Sequence, residues 1–144
     1  MPESPFPRHT TGLHHTALRA TDFERTLKFY CEGLGFTKKV AWSMGKDGAT
    51  KAVMLDAGDG NYLEVFSNGN PEDPAEARYA HIALRTDNIE SAHAAALAAG
   101  AKERVAPTDF NIEDTLSGTP HTGKLSFVLG PDDEVIEFMQ TQML

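Results

Sequence analysis

The sequence predicts an α+β fold in which two tandem βαβββ modules form one curved mixed sheet around a cleft. Three observations predict it. The chain repeats a motif at an offset of 66 residues. Each copy is followed by a helix and then by strand-like runs. The first and last strand of each copy bear one histidine or glutamate on a face that is otherwise largely apolar.

The repeat anchors the element assignment. His15-Thr16-Ala17-Leu18-Arg19 returns as His81-Ile82-Ala83-Leu84-Arg85, and an offset this long marks a duplicated module rather than a solenoid. Residues 13–19 read as the first strand. Thr21 and Glu24 stand at capping-box spacing, and the helix they start runs to Gly33 and Gly35. Glycine is the residue that tolerates the left-handed turn closing a helix. Strands follow at 36–43, 51–56 and 61–67, separated by Lys46-Asp47-Gly48 and by the hairpin signal Asp59-Gly60. Residues 68–76, rich in Asn, Gly and Pro, read as a linker.

The second copy starts with a strand at 79–85. Asp87 and Glu90 open its helix, Gly100 closes it, and strands follow at 102–106, 124–129 and 134–140. Between them, Pro107, Gly118, Pro120 and Gly123 suggest a long irregular loop of the lid or binding kind. Module one then spans about 11–68 and module two about 78–141, in a single domain of 144 residues. Neither four-stranded half closes a barrel alone.

Composition narrows the partners. The chain is 40% hydrophobic and 24% charged, an ordinary globular mix. Net charge is −8 and the largest basic run is Lys38-Lys39, which argues against nucleic acid. No apolar run approaches the ~20 residues of a membrane helix. The opening Met1-Pro2-Glu3-Ser4-Pro5-Phe6-Pro7 has neither a basic nor an apolar signal region. The one cysteine, Cys31, cannot form an intrachain disulfide or a thiolate cluster and suits a reducing cytoplasm. A small-molecule substrate is the expectation, with no nucleic-acid or membrane partner.

Strand side chains alternate between faces. Leu13, His15, Ala17 and Arg19 share one; Tyr62, Glu64, Phe66 and Asn68 another; Tyr79, His81, Ala83 and Arg85 a third; Val135, Glu137 and Met139 a fourth. Burying a lone carboxylate costs several kcal/mol, so each glutamate needs a partner. A single histidine in an apolar strand is more often a hydrogen-bonded structural residue. Four such groups at repeated positions instead suit one divalent cation, held by His15, Glu64, His81 and Glu137. A sulfur-free set of two nitrogens and two oxygens fits Zn, Ni, Co, Mn or Fe(II), and a histidine/carboxylate site with room for water is the catalytic kind. His15, not His14, is in register with His81, so His14 is expected to face outward. His93, on an alanine-rich helix, is expected to be solvated, and His121 falls in the long loop.

Leu13-His14-His15-Thr16-Ala17-Leu18-Arg19, Phe29-Tyr30 with Leu34-Gly35-Phe36, Tyr62-Leu63-Glu64-Val65-Phe66, His81-Ile82-Ala83-Leu84 and Val135-Ile136-Glu137-Phe138 together resemble the glyoxalase/bleomycin-resistance/dioxygenase superfamily, also called vicinal oxygen chelate. The resemblance covers residues 13–140. It implies that the ligand on the fourth strand separates subgroups. Dioxygenases generally lack one, methylmalonyl-CoA epimerases often carry glutamine, and glyoxalase I-like lyases carry glutamate, as Glu64 is here. It further implies a metal-dependent, lactoylglutathione lyase-like enzyme in which Glu137 first and Glu64 second shuttle protons. Arg19 and Asn68 match positions that contact glutathione, so glutathione or another thiol is implied as cosubstrate. A homodimer is implied as well. Two alternatives share the fold: a metal-dependent ring-cleaving dioxygenase, and a drug-binding resistance protein with Trp42 and Phe66 lining an aromatic slot. Two features depart from the family. The last hairpin reads Gly130-Pro131-Asp132-Asp133 where relatives often have Asp-Pro-Asp-Gly. Asp109, Glu113 and Asp114 make the long loop acidic, which disfavours anionic glutathione unless they point away.

Overall fold

The first module runs β1 (Gly12–Arg19), α1 (Phe23–Lys28), β2 (Thr37–Met44), β3 (Thr50–Asp56) and β4 (Tyr62–Phe66). The second repeats the order with β5 (Tyr79–Arg85), α2 (Ile89–Ala98), β6 (Lys102–Glu113), β7 (Pro120–Leu129) and β8 (Val135–Gln140). These elements belong to a computed structural model that describes residues 3–142 and 144. Met1 and Pro2, part of the stretch read for a signal peptide, lie outside the described residues, as does Met143.

All eight strands form one mixed sheet in the order β2-β3-β4-β1-β5-β8-β7-β6. β1 pairs parallel with β4 and antiparallel with β5, and β5 pairs parallel with β8. The order reads the same from either end about the β1–β5 seam, so the duplication in sequence becomes an approximate twofold in space. Each helix covers its own module. Leu27 of α1 packs with Val53, Leu55, Leu63 and Val65, and Ile89 and Ala92 of α2 pack with Val128 and Phe138. Full burial of such aliphatic side chains stabilises by about 1.5–3 kcal/mol each. Leu63 and Val65 face α1, so Glu64 between them faces away from the helices.

The helix starts fall one residue later than the sequence suggests. Asp22 caps α1 and Asn88 caps α2, each accepting a hydrogen bond at 3.1 Å from the backbone N–H three residues on. They replace Thr21 and Asp87. The two caps remain equivalent in the repeat; Asp22 is a better N-cap acceptor than Thr21, while Asn88 and Asp87 are about equal, so there the backbone decides. α1 continues into a π-helical turn, Phe29–Gly33, and Gly35 and Gly100 end the two segments at φ 82 and 107.

The long loop expected between residues 106 and 124 is instead a hairpin. β6 extends to Glu113 and β7 starts at Pro120, paired in register from Lys102–Leu129 to Glu113–Pro120. The prolines sit where strands accept them. β6 is a sheet edge, Pro107 falls at a register shift between Val105 and Thr108, and Pro120 opens its strand. The hairpin tip, 114–119, reaches the opposite edge of the sheet. The Thr115 N–H donates to the Ala41 carbonyl at 2.8 Å, and the Ala41 N–H donates to Asp114 Oδ1 at 3.1 Å. The tip thus ties β6–β7 to β2 and holds the sheet curved.

His93 is buried rather than solvated. Its neighbouring alanines bring α2 close to the sheet, which places the imidazole between them. There Nδ1 lies 2.9 Å from Ser126 Oγ and Nε2 lies 2.7 Å from Glu103 Oε2. Among the described residues, no helix is long and apolar enough to cross a membrane.

Candidate metal centre

The four central strands, β4-β1-β5-β8, each deliver one candidate ligand. In the register, Ala17 stands between Glu64 on β4 and His81 on β5. Ala83 stands between His15 on β1 and Glu137 on β8. Both alanines are fully buried. The repeated His-x-Ala therefore sets each histidine beside the other copy's alanine across the antiparallel seam. A methyl group there leaves room for the imidazole; a larger side chain would occupy the space where the donors converge.

The structure brings all four candidate ligands together within one chain. His15 Nε2 lies 3.1 Å from Glu137 Oε1 and 3.3 Å from Glu64 Oε1. His81 Nε2 lies 3.4 Å from Glu64 Oε1 and 3.5 Å from Glu137 Oε1. The two Nε2 atoms are 3.2 Å apart. Donors bound about 2.0–2.2 Å from one cation stand roughly 3–3.6 Å from each other at tetrahedral or octahedral angles, so the spacings among His15, Glu64 and His81 match a coordination shell. Glu137 Oε1 is buried and within ion-pair range of both imidazoles, yet has no aligned hydrogen bond among the described residues. A buried acceptor left unpaired costs about 1–3 kcal/mol, which a cation would relieve. His15, Glu64 and His81, whose donor atoms all lie within 4.8 Å of one another, fit a divalent metal.

Electrostatics bind the cluster in the absence of a cation. Burial alone would lower the His15 pKa, but the Glu64 charge and the close approach of its Nε2 to both carboxylates raise it to about 9. Burial alone would raise that of Glu64, but the His15 charge and both imidazoles lower it to about 2. His81 is raised too, because its contacts with the Glu137 and Glu64 carboxylates outweigh its burial.

One residue of the site was misread from sequence. His14 does not face outward into water: it is 1% exposed, and its Nδ1 lies 2.7 Å from His15 Nδ1. A register shift between Leu13 and His15 in the β1–β5 ladder breaks the alternation at that point, and the Tyr62 ring lies beside it at 5.2 Å between centroids. Burial, then the His15 and Arg85 charges, lower its pKa to about 3, so it is neutral. A neutral His14 accepting the Nδ1–H of His15 leaves His15 Nε2 as the nitrogen turned to the cluster. The only sequence signal was the doublet itself.

A cavity of about 490 Å³ opens onto His81. Arg19, Phe66 and Asn68 line it from module one and Phe127 from module two; the Phe127 and His81 rings meet edge-on at 5.4 Å. Trp42 touches Phe66 edge-on at 6.5 Å but lines a separate, smaller cavity beside α1, so the two do not form one slot. The acids of the hairpin stay out of the cleft lining. Asp109 lines a different groove. Asp114 is buried in the hairpin tip, where it accepts from the Ser117 hydroxyl at 2.5 Å and pairs with His121 at 3.2 Å. That contact also removes His121 from the ligand candidates.

The model of the Glyoxalase/Bleomycin resistance protein/Dioxygenase superfamily matches residues 12–138. YwbC of Bacillus subtilis strain 168, itself uncharacterised, is 29% identical over 130 residues, covering 89% of this chain and 96% of YwbC. Among solved structures, a methylmalonyl-CoA epimerase superposes with a TM-score of 0.66 at 16% identity, over 94% of this chain and 99% of its own. The Mn(II)-bound glyoxalase from Novosphingobium aromaticivorans superposes with a TM-score of 0.64 at 20% identity, over 92% of this chain and 39% of its own. At these identities the structural likeness is one of fold.

Proposed function

The chain belongs to the Glyoxalase/Bleomycin resistance protein/Dioxygenase superfamily, and from that premise we propose that it is a divalent-metal-dependent lyase or isomerase of the glyoxalase I type. The observation that carries this reading is the four-donor cluster of His15, Glu64, His81 and Glu137, with Glu64 in it. By the family resemblance, a dioxygenase can work with three protein donors, and binding relatives often lose the ligands. A fourth donor buried at 6% exposure is expensive unless it is used.

His15 and His81 act as ligands, with His14 positioning His15. A divalent ion (Zn, Ni, Co, Mn or Fe(II)) held there supplies Lewis-acid polarisation of a substrate carbonyl oxygen. Glu137 takes the proton from the carbon beside that carbonyl and returns it to the adjacent carbon; its Oε1 has no aligned hydrogen bond to give up. Glu64, engaged as the ion-pair partner of His15, is the second proton carrier. Arg19 and Asn68 orient the substrate, a small carbonyl compound or its adduct with a thiol such as glutathione. The single cysteine and the family suit a cytoplasmic homodimer. Metal-reconstituted protein is expected to convert the methylglyoxal–glutathione adduct. Glu137→Gln should lower that rate by about 10²–10⁴-fold with the fold intact. Oxygen uptake with catechols under Fe(II), without action on the adduct, would replace this reading with the dioxygenase one.

A further inference from the structure

We propose that the cleft takes a substrate bearing two carboxylates, one held by Arg19 and the other by Arg104. The inference rests on the metal-centre reading for what happens between those two ends, but not for the binding itself.

The chain has 21 acidic and 13 basic side chains. The cleft inverts that balance: two arginines line it and no carboxylate does. Neither guanidinium makes an ion pair or hydrogen bond with a described residue. The duplication supplies an internal control. Arg85 is the repeat partner of Arg19, and it donates to the carbonyls of Leu13, Gly60 and Leu144. Arg19 at the equivalent position has no such structural task and lines the cavity instead.

Arg104 reaches the cavity through a local irregularity. The β6–β7 register shifts between Glu103 and Val105, so Arg104 is the extra residue of a bulge, a device that re-aims side chains. Regular alternation would place only one of Arg104 and Val105 on the cleft face; both line the cavity. Glu103, before the bulge, pairs with His93 under α2. One arginine therefore comes from each module, with His81 and the apolar walls of Phe66 and Phe127 in the same cavity. An unpaired guanidinium beside apolar walls selects a carboxylate by bidentate, charge-assisted hydrogen bonding. Two of them around an apolar middle select a ligand with two acidic ends. A dicarboxylic carbonyl compound meets that description.

The test is calorimetry on the full chain, metal-free and Mn(II)-loaded. The probes are the dicarboxylates from malonate to suberate and their monoamides. At least one two-carboxylate probe should bind the metal-free protein. Arg19→Gln and Arg104→Gln should each weaken it by about tenfold or more, with partial recovery in the lysine variants. The matching monoamide should be weaker by a similar factor, a comparison that needs no variant. The chain length that binds tightest gives the spacing between the two acid-binding ends. Absence of binding by every probe overturns the proposal. So does a monoamide that binds equally well, or binding that is unchanged in Arg104→Gln. Failure of the metal reading shows separately, as no Mn(II) uptake by the wild type, and leaves the measurement on metal-free protein standing.

Discussion

At the scale of single residues, the centre depends on which nitrogen of His15 carries a proton. The metal-free cluster holds His15 protonated at neutral pH, because its pKa is raised to about 9. A cation must displace that proton. Metal affinity is therefore expected to rise with pH and level off above about 9, and calorimetry in buffers of different ionisation heat should show proton release on loading at pH 7. The same shifts set the stability of the metal-free protein. The His15 contribution is complete below its ordinary 6.5 and is lost as pH rises through about 9. The Glu64 contribution is complete above its ordinary 4.5 and is lost as pH falls through about 2. His14 acts one bond further out. His14→Leu cannot accept the His15 Nδ1–H and should weaken metal binding by about 10–100-fold, whereas His14→Gln keeps an acceptor and should lose less. The convergence of His15, Glu64, His81 and Glu137 was legible in the sequence because duplication and strand alternation both point to it. His14 was not, because a β-bulge moves it and nothing in the local sequence announces the bulge.

Elements position these residues through a few tight approaches. Just after β4, Gly69 donates its N–H to the Ala20 carbonyl at 2.9 Å. A Cβ at Gly69 would lie 2.6–2.7 Å from the backbone of Arg19 and Ala20. Those are main-chain atoms of the turn leaving β1 and cannot swing away. Gly69→Ala is expected to cost about 1–3 kcal/mol in denaturant unfolding and to disturb the Arg19 side of the cleft. Element types were readable from the hydrophobic period and the turn residues. The β6–β7 hairpin was not, since its prolines and glycines look like loop punctuation. Strand position decides their meaning: an edge strand has N–H groups to spare, so Pro107 breaks nothing there. The caps were displaced by one residue because Thr21-Asp22 and Asp87-Asn88 each offer two adjacent candidates, and only the backbone selects between them.

Across the whole molecule, two copies of one module make a side-chain cluster that neither makes alone, with His15 and Glu64 from the first and His81 and Glu137 from the second. The hairpin tip then ties the two sheet edges through Asp114. Burial would raise the pKa of this carboxyl. The Ser117 hydroxyl, the N–H groups of Ala41 and Leu116, and His121 hold it well below the usual carboxylate range. Its contribution is complete above its ordinary 3.8 and persists until the pH falls through that depressed value. Asp114→Ala should lower stability by about 2–4 kcal/mol and expose the 114–119 tip to limited proteolysis.

The central claim is that one divalent ion sits among His15, Glu64, His81 and Glu137, and metal stoichiometry tests it most directly. The full chain, stripped and reconstituted with Mn(II), is expected to retain about one equivalent after desalting. The double variant His15→Ala/His81→Ala, folded by circular dichroism, should retain essentially none. Retention below about 0.2 equivalents by the wild type, or equal retention by the double variant, would contradict the account.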